Sequence, residues 1–143
     1  MTETQKIVQR WLSRGIWQMQ EIEQLKEQRK EEYAKLTKIT QNLSGEVVSS
    51  TKDPHKYDVI ASFDVDIEEK RRTLDKTLCE IREAISTLSD SRYRTAMTWH
   101  FVNGYDWETS ADKMGYEVTQ MYRFQSKSLD ELDWLISERK DAI

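Results

Sequence analysis

The sequence predicts an all-α protein in which two long amphipathic helices precede a module of short helices, and three observations carry this. Four Gly and one Pro stand among 143 residues of which 34% are charged, a composition that feeds solvated helix faces and leaves few turn-forming punctuators. Apolar residues recur at alternating three- and four-residue steps over long stretches of the first 88 residues. After residue 88 the period breaks into short runs separated by Asn103-Gly104 and Gly115.

The first element is expected to run from about Glu3 to Asn42, where Pro is absent and Gly15 is the only glycine. Its stripe of Ile22, Leu25, Arg29, Glu32, Leu36, Ile39 and Leu43 reads as a helix-pairing seam with two polar interruptions. At its start, Ile7, Val8, Trp11, Leu12, Ile16 and Trp17 form a broader apolar surface suited to packing. Residues from about 44 to 58 collect Gly45, Ser49, Ser50, Thr51, Asp53 and Pro54 and read as a linker. A second long helix follows from about Ile60 to Leu88, with Ile67, Arg71, Leu74, Leu78, Ile81, Ile85 and Leu88 in heptad register. The two helices can fold back on each other as a hairpin, or each can form a coiled coil with a second copy in a homodimer. Residues 1–88 are therefore read as a helical arm. Cys79, the single cysteine, lies on the helix and is expected to be a buried, reduced thiol.

Residues 89–143 read as a separate domain. Ser89-Asp90-Ser91 supplies N-cap side chains, and Tyr93, Ala96, Met97, His100 and Phe101 give a helix that stops at Asn103-Gly104. Asp106 caps a short helix from Trp107 to Met114, and Gly115 then tolerates the left-handed conformation that a sharp turn between two helices needs. A third helix opens at Glu117. It turns Met121, Phe124, Ser128, Leu132 and Leu135 inward, and Thr119, Gln120, Arg123 and Lys127 outward. This is the pattern of a helix-turn-helix, whose second helix shows side chains to base edges near its N-terminus. Gln reads adenine and Arg reads guanine in bidentate geometry, so Gln120 and Arg123 are the first candidates for base contact. Lys127 and Arg94 suit phosphates.

The run Arg92-Tyr93, Phe101 to Glu108, Ala111 to Tyr116, Val118 to Arg123 and Lys127-Ser128-Leu129 resembles the C-terminal helix-turn-helix of bacterial sigma factors, region four. It is more similar still to small phage and prophage proteins of Gram-positive bacteria with a sigma-region-four-like end, the ArpU-type late transcriptional regulators. The likeness extends more weakly through Val47-Val48-Ser49-Ser50, Tyr57-Asp58 and the second long helix. It implies that the start of the third helix enters the major groove of double-stranded DNA. Val118, Thr119, Tyr122 and Arg123 are then the contacting residues, Glu117 stands at the cap, and Gln120 sits nearer the edge. It also implies a transcriptional regulator in the cytoplasm of a bacterial host, with RNA polymerase as a candidate partner. Three positions depart from the pattern: Glu117 where Ser or Thr is usual, Ser110 where an aliphatic residue is common, and Ser128 in place of Ala. No segment resembles the region that melts promoters.

Charge and composition bound the alternatives. Residues 1–88 carry 15 basic and 16 acidic side chains and residues 89–143 carry 7 and 10, so any DNA contact must be local rather than a general attraction to polyphosphate. A small-terminase-like DNA-packaging adaptor also combines a helix-turn-helix with oligomerising helices, and the acidic balance equally fits a protein-interaction module that has lost DNA. Trp99, Trp107 and Trp134 read as core or interface residues. His55 and His100 have no second ligand at metal-binding spacing, and the carboxylates read as solvated helix faces, so neither a metal or other cofactor nor an enzymatic activity is expected. No apolar run reaches bilayer length, and the polar start at Met1 to Lys6 lacks signal-peptide order, so no membrane association is expected.

Overall fold

In a computed structural model, which describes residues 1–42 and 57–138, the chain is all-helical with no strand among those residues. The elements are α1 (Glu3–Leu12), α2 (Arg14–Asn42), α3 (Asp58–Ser86), α4 (Ser91–Met97), a π-helical segment (Thr98–Val102), α5 (Trp107–Met114), α6 (Val118–Glu131) and α7 (Trp134–Glu138). The expected linker lies outside the described residues except for Tyr57 and Asp58, as do His55, Leu43 and the side chain of Ile39. None of the described helices is long and apolar enough to cross a membrane.

Two compact units divide the chain: Met1–Met19 with the chain from Leu74 onward, and Gln20–Thr73. The sequence boundary after residue 88 falls inside the first of these. In the second, Ile22, Ile60 and Ile67 are buried. The polar interruption at Arg29 is explained there, since its guanidinium meets Asp64 of α3 at 2.6 Å, and Lys70 meets Glu21 at 3.2 Å. Both pairs are largely solvated and are worth at most about 1 kcal/mol each.

The first unit holds the main core. Val8, Trp11 and Leu12 of α1 join Leu78, Ile81, Ala84, Ile85 and Leu88, with Met97 and Phe101, and with Leu129, Leu132 and Leu135. Full burial of a side chain the size of Phe101 stabilises the fold by about 1.5–3 kcal/mol. Gly15 lets α2 approach closely, because an added Cβ would lie 2.9 Å from Leu78 Cδ2 and 3.5 Å from the Phe101 carbonyl oxygen. Helix α1 begins in a capping box, in which Thr2 Oγ1 accepts from Gln5 N and Gln5 Oε1 accepts from Thr2 N. The same Gln5 is buried, and its amide reaches α6, donating to Ser126 O at 3.3 Å, Ser126 Oγ at 3.2 Å and Asp130 Oδ1 at 2.9 Å.

Several sequence expectations are corrected. The first helix is not continuous from Glu3 to Asn42 but breaks at Ser13, whose Oγ bonds back to Gln9 O at 2.7 Å while Arg14 Nε bonds Trp11 O at 2.9 Å. Trp17 is 62% exposed, because the buried strip of α1 does not continue onto it. Cys79 is exposed rather than buried, since α3 turns Leu78, Ile81 and Ile85 inward on either side of it. The helix expected from Glu117 through Leu135 ends as α6 at Glu131, and Leu132 leads into the separate short α7.

Candidate nucleic-acid interface

Helix α4 starts where the sequence places its cap, with Asp90 accepting from Arg92 N at 2.8 Å. The Arg92 guanidinium returns to Asp90 at 2.7 Å, and these hydrogen bonds pull the Asp90 carboxyl down to about 2. Helical geometry then loosens. After Met97 the ladder widens to π spacing, with Asn103 N donating to Thr98 O at 3.0 Å, while Thr98 Oγ1 bonds back to Arg94 O at 2.7 Å. The widened turn carries His100, which stacks on Trp107 with centroids 4.1 Å apart and shares a hydrogen bond of 2.7 Å between Nδ1 and Tyr105 O. Burial lowers the His100 pKa below its ordinary value.

Helix α5 opens under Asp106, which accepts from Thr109 N at 2.7 Å. Its end is set by Gly115 at φ +74°, with Tyr116 N donating to Ala111 O at 3.0 Å and Gly115 N to Asp112 O at 3.3 Å. Those two bonds make a Schellman motif, which satisfies the last carbonyls and turns the chain sharply. Tyr116 anchors the turn by meeting the Phe124 ring edge-on, with centroids 5.1 Å apart. Ala96, Ala111, Met121 and Phe124 form a small core joining α4, α5 and α6, with Tyr93, Trp107, Met114 and Val118 at its edge.

Helix α6 then begins at Val118 with Glu117 in extended conformation and no side-chain cap. The amides of Gln120 and Met121 bond the Glu117 carbonyl, at 3.0 and 3.2 Å. Thr119, Tyr122, Arg123, Ser126 and Lys127 are exposed, as is Glu117. Gln120 is half-buried, and Val118 is half-buried against the small core, so its apolar side faces inward rather than being wholly free. Tyr122 leans on Trp107 with ring centroids 6.0 Å apart. Arg94 lies elsewhere, on α4, with its Nη1 donating to Leu88 O at 2.6 Å.

The cations sort by what holds them. Between Ser89 and Glu138, Arg92 is bound to Asp90, Arg94 to the Leu88 carbonyl, and Lys113 lies 5.0 Å from the Trp99 ring and 4.8 Å from that of Tyr105. Arg123 and Lys127 make no ion pair or hydrogen bond among the described residues. Both stand on α6. Opposed to them, Asp112 and Glu117 line the open cleft in front of the turn together with Tyr116, Thr119 and Gln120.

Sequence reasoning missed Ser126, the exposed residue one turn beyond Tyr122, and the burial of Gln125 against Gln9 at 3.5 Å. Continuing the outward set by one further step would have found Ser126. Nothing local marks Gln125, whose partner is 116 residues away. Among the described residues no three His, Cys, Asp or Glu side chains come together to hold a metal ion. No family model, curated protein or solved structure matches this chain.

Proposed function

We propose that α5, the Gly115 turn and α6 act as a helix-turn-helix that lays the N-terminal half of α6 in the major groove of double-stranded DNA, and that the chain is a phage or prophage transcriptional regulator. The long helices α2 and α3 then serve as a helical hairpin that sets oligomeric state or meets RNA polymerase. The observation that carries this is the division of cations: those not engaged by the protein itself between Ser89 and Glu138 lie together on the exposed face of α6, beside Thr119 and Tyr122. A recognition helix needs such a face near its start, with polar groups free to bond base edges.

In this docking Arg123 reads a base and Lys127 meets a phosphate, while Thr119, Gln120 and Tyr122 border the contact. Glu117 sits where a carboxylate favours the helix dipole and opposes a phosphate, so it accepts a base amino group or stays at the groove edge. The test is selection of bound fragments from the source genome at two salt concentrations, followed by titration of the best fragment with the Arg123→Ala protein. Loss of about 1–3 kcal/mol of affinity for that fragment is expected if Arg123 contacts a base. Unchanged affinity removes Arg123 from the contact. A second reading, a protein-interaction module, is favoured by Asp112 and Glu117 flanking the cleft; it requires that no duplex be retained at any salt. A packaging adaptor is separated from both by light scattering, which would find a high oligomer.

A further inference from the structure

We infer that α1 extends the DNA-binding surface of α6, with Lys6 and Arg10 contacting phosphates that flank the groove. This rests on the proposed reading of α6. Sequence alone assigns these residues to the helical arm and leaves the partner of its apolar start open, whereas Gln5 and Gln9 of α1 bond Ser126, Asp130 and Gln125 of α6 directly. Ser126 belongs to the exposed face of α6, between Arg123 and Lys127. The face proposed to meet DNA therefore borders α1.

Helical geometry orders the side chains outward from that border. The strip Val8, Trp11 and Leu12 is buried in the core, and Gln5 and Gln9 lie on its α6 side. At 3.6 residues per turn, the next strip outward, away from the core, carries Lys6 and Arg10, one turn apart. Both are exposed. Lys6 has only a loose pairing with Glu3 at 3.9 Å, and Arg10 has no ion pair among the described residues. Arg14, one turn further, is committed elsewhere, to Glu80 at 2.9 Å.

Charge points the same way. Residues 1–19 carry three basic side chains and one acidic, whereas residues 89–143 carry 7 and 10. Duplex DNA is a dense line of negative charge, and an acidic module in which two cations are unengaged among the described residues holds it weakly. Docking α1 on α6 brings a net-positive element to the edge of that module. Asp130, the carboxylate at the junction, is engaged by the Gln5 amide.

The experiment compares four full-length proteins by fluorescence anisotropy on a labelled random-sequence duplex across a salt series: the wild type, Lys6→Ala/Arg10→Ala, Arg123→Ala/Lys127→Ala, and Lys26→Ala/Lys30→Ala as a control in the other unit. Losing two phosphate contacts should reduce the slope of log affinity against log salt by about 2, at roughly 0.9 per contact. The expected result is that reduction for Lys6→Ala/Arg10→Ala, weakened binding for Arg123→Ala/Lys127→Ala, and no change for the control. A purely structural role for Lys6 and Arg10, in pairing or at the helix dipole, would shift thermal stability and leave the salt slope alone. A wild-type slope in the α1 variant, beside weakened binding in the α6 variant, overturns the extension and leaves the α6 reading standing. Wild-type protein that binds no duplex removes both. A reduced slope in the control as well shows diffuse attraction and overturns the assignment to α1.

Discussion

Two buried serines on neighbouring helices make an internal comparison of what an unpaired hydroxyl costs. Ser110 and Ser128 are both 0% exposed. Ser128 Oγ donates to the Phe124 carbonyl at 2.6 Å, whereas Ser110 Oγ finds no hydrogen-bond partner among the described residues. A buried polar group left unsatisfied costs about 1–3 kcal/mol, so Ser110→Ala removes a penalty. Alanine adds about 0.5 kcal/mol of helix propensity, and the void left by one oxygen costs a few tenths, at about 24 cal/mol per Å³. Ser110→Ala should thus stabilise by about 1–3 kcal/mol, and the melting temperature should rise by roughly 4 °C per kcal/mol for a unit of this size. Ser128→Ala gains the same propensity but gives up a satisfied bond of about 1 kcal/mol and leaves the same small void, so it should destabilise by about 0.5–1 kcal/mol. Urea unfolding followed by tryptophan fluorescence is the right assay, because all five tryptophans, Trp11, Trp17, Trp99, Trp107 and Trp134, belong to the unit that contains both serines. Equal destabilisation by the two substitutions would refute the reasoning, since it would mean that the Ser110 hydroxyl is as well bonded as that of Ser128.

Further outcomes follow from the turn and the widened helix. Gly115→Ala should destabilise by about 1–2 kcal/mol, because a left-handed conformation is costly for any residue with a Cβ; nothing lies within 4 Å of the added carbon, so the effect is of the backbone alone. Denaturant midpoints for Gly115→Ala and the milder Gly115→Asn check it, and equal losses would show a packing effect instead. His100 is held neutral by burial, with its folded pKa below the ordinary 6.5, so its contribution is complete above 6.5 and is lost as pH falls through the folded value. Urea midpoints taken from neutral into mildly acid pH should fall for the wild type and fall less for His100→Phe; identical profiles would contradict a neutral buried ring. The Asp90 carboxyl, held near 2 against an ordinary 3.8, contributes above that ordinary value and loses its effect as pH falls toward 2.

What was legible in the sequence was local. Asp90 and Asp106 announce their helices because a side-chain oxygen two or three residues ahead of an amide is sufficient to cap it, and both bonds form. Gly115 announces its turn because a residue without Cβ takes φ +74° at no steric cost, and the inward set Met121, Phe124 and Ser128 announces itself through its period. The parts that were not legible depend on partners distant in the chain. Ser13 breaks a helix whose composition permits continuity, and the π spacing after Met97 leaves no mark in residue types. Gln5 looks like any polar helix residue, yet it is buried because α6 offers a carbonyl, a hydroxyl and a carboxylate within reach. For the candidate interface, Thr119, Arg123 and Lys127 could be named as outward in advance, whereas Ser126 was missed and the engagement of Arg94 and Lys113 by other groups could not be foreseen.

The acidic surroundings of α6 bear on how the proposed docking discriminates. A net charge of −4 gives no general attraction to the phosphate line, so non-specific affinity has to come from a few placed cations. Asp112 and Glu117 beside the turn repel a phosphate brought to the first residues of α6, while Arg123 and Lys127 attract one a turn or two later. A duplex shifted toward the turn therefore loses both terms, and one seated on Arg123 and Lys127 keeps the attraction and escapes most of the repulsion. Carboxylates placed in this way lower affinity for every register, but they lower it most for the wrong ones, which is how a repulsive element becomes specificity. Replacing Glu117 by Gln should accordingly raise affinity for random duplex more than for a selected site, and an equal gain on both would show that the carboxylate does not discriminate between registers.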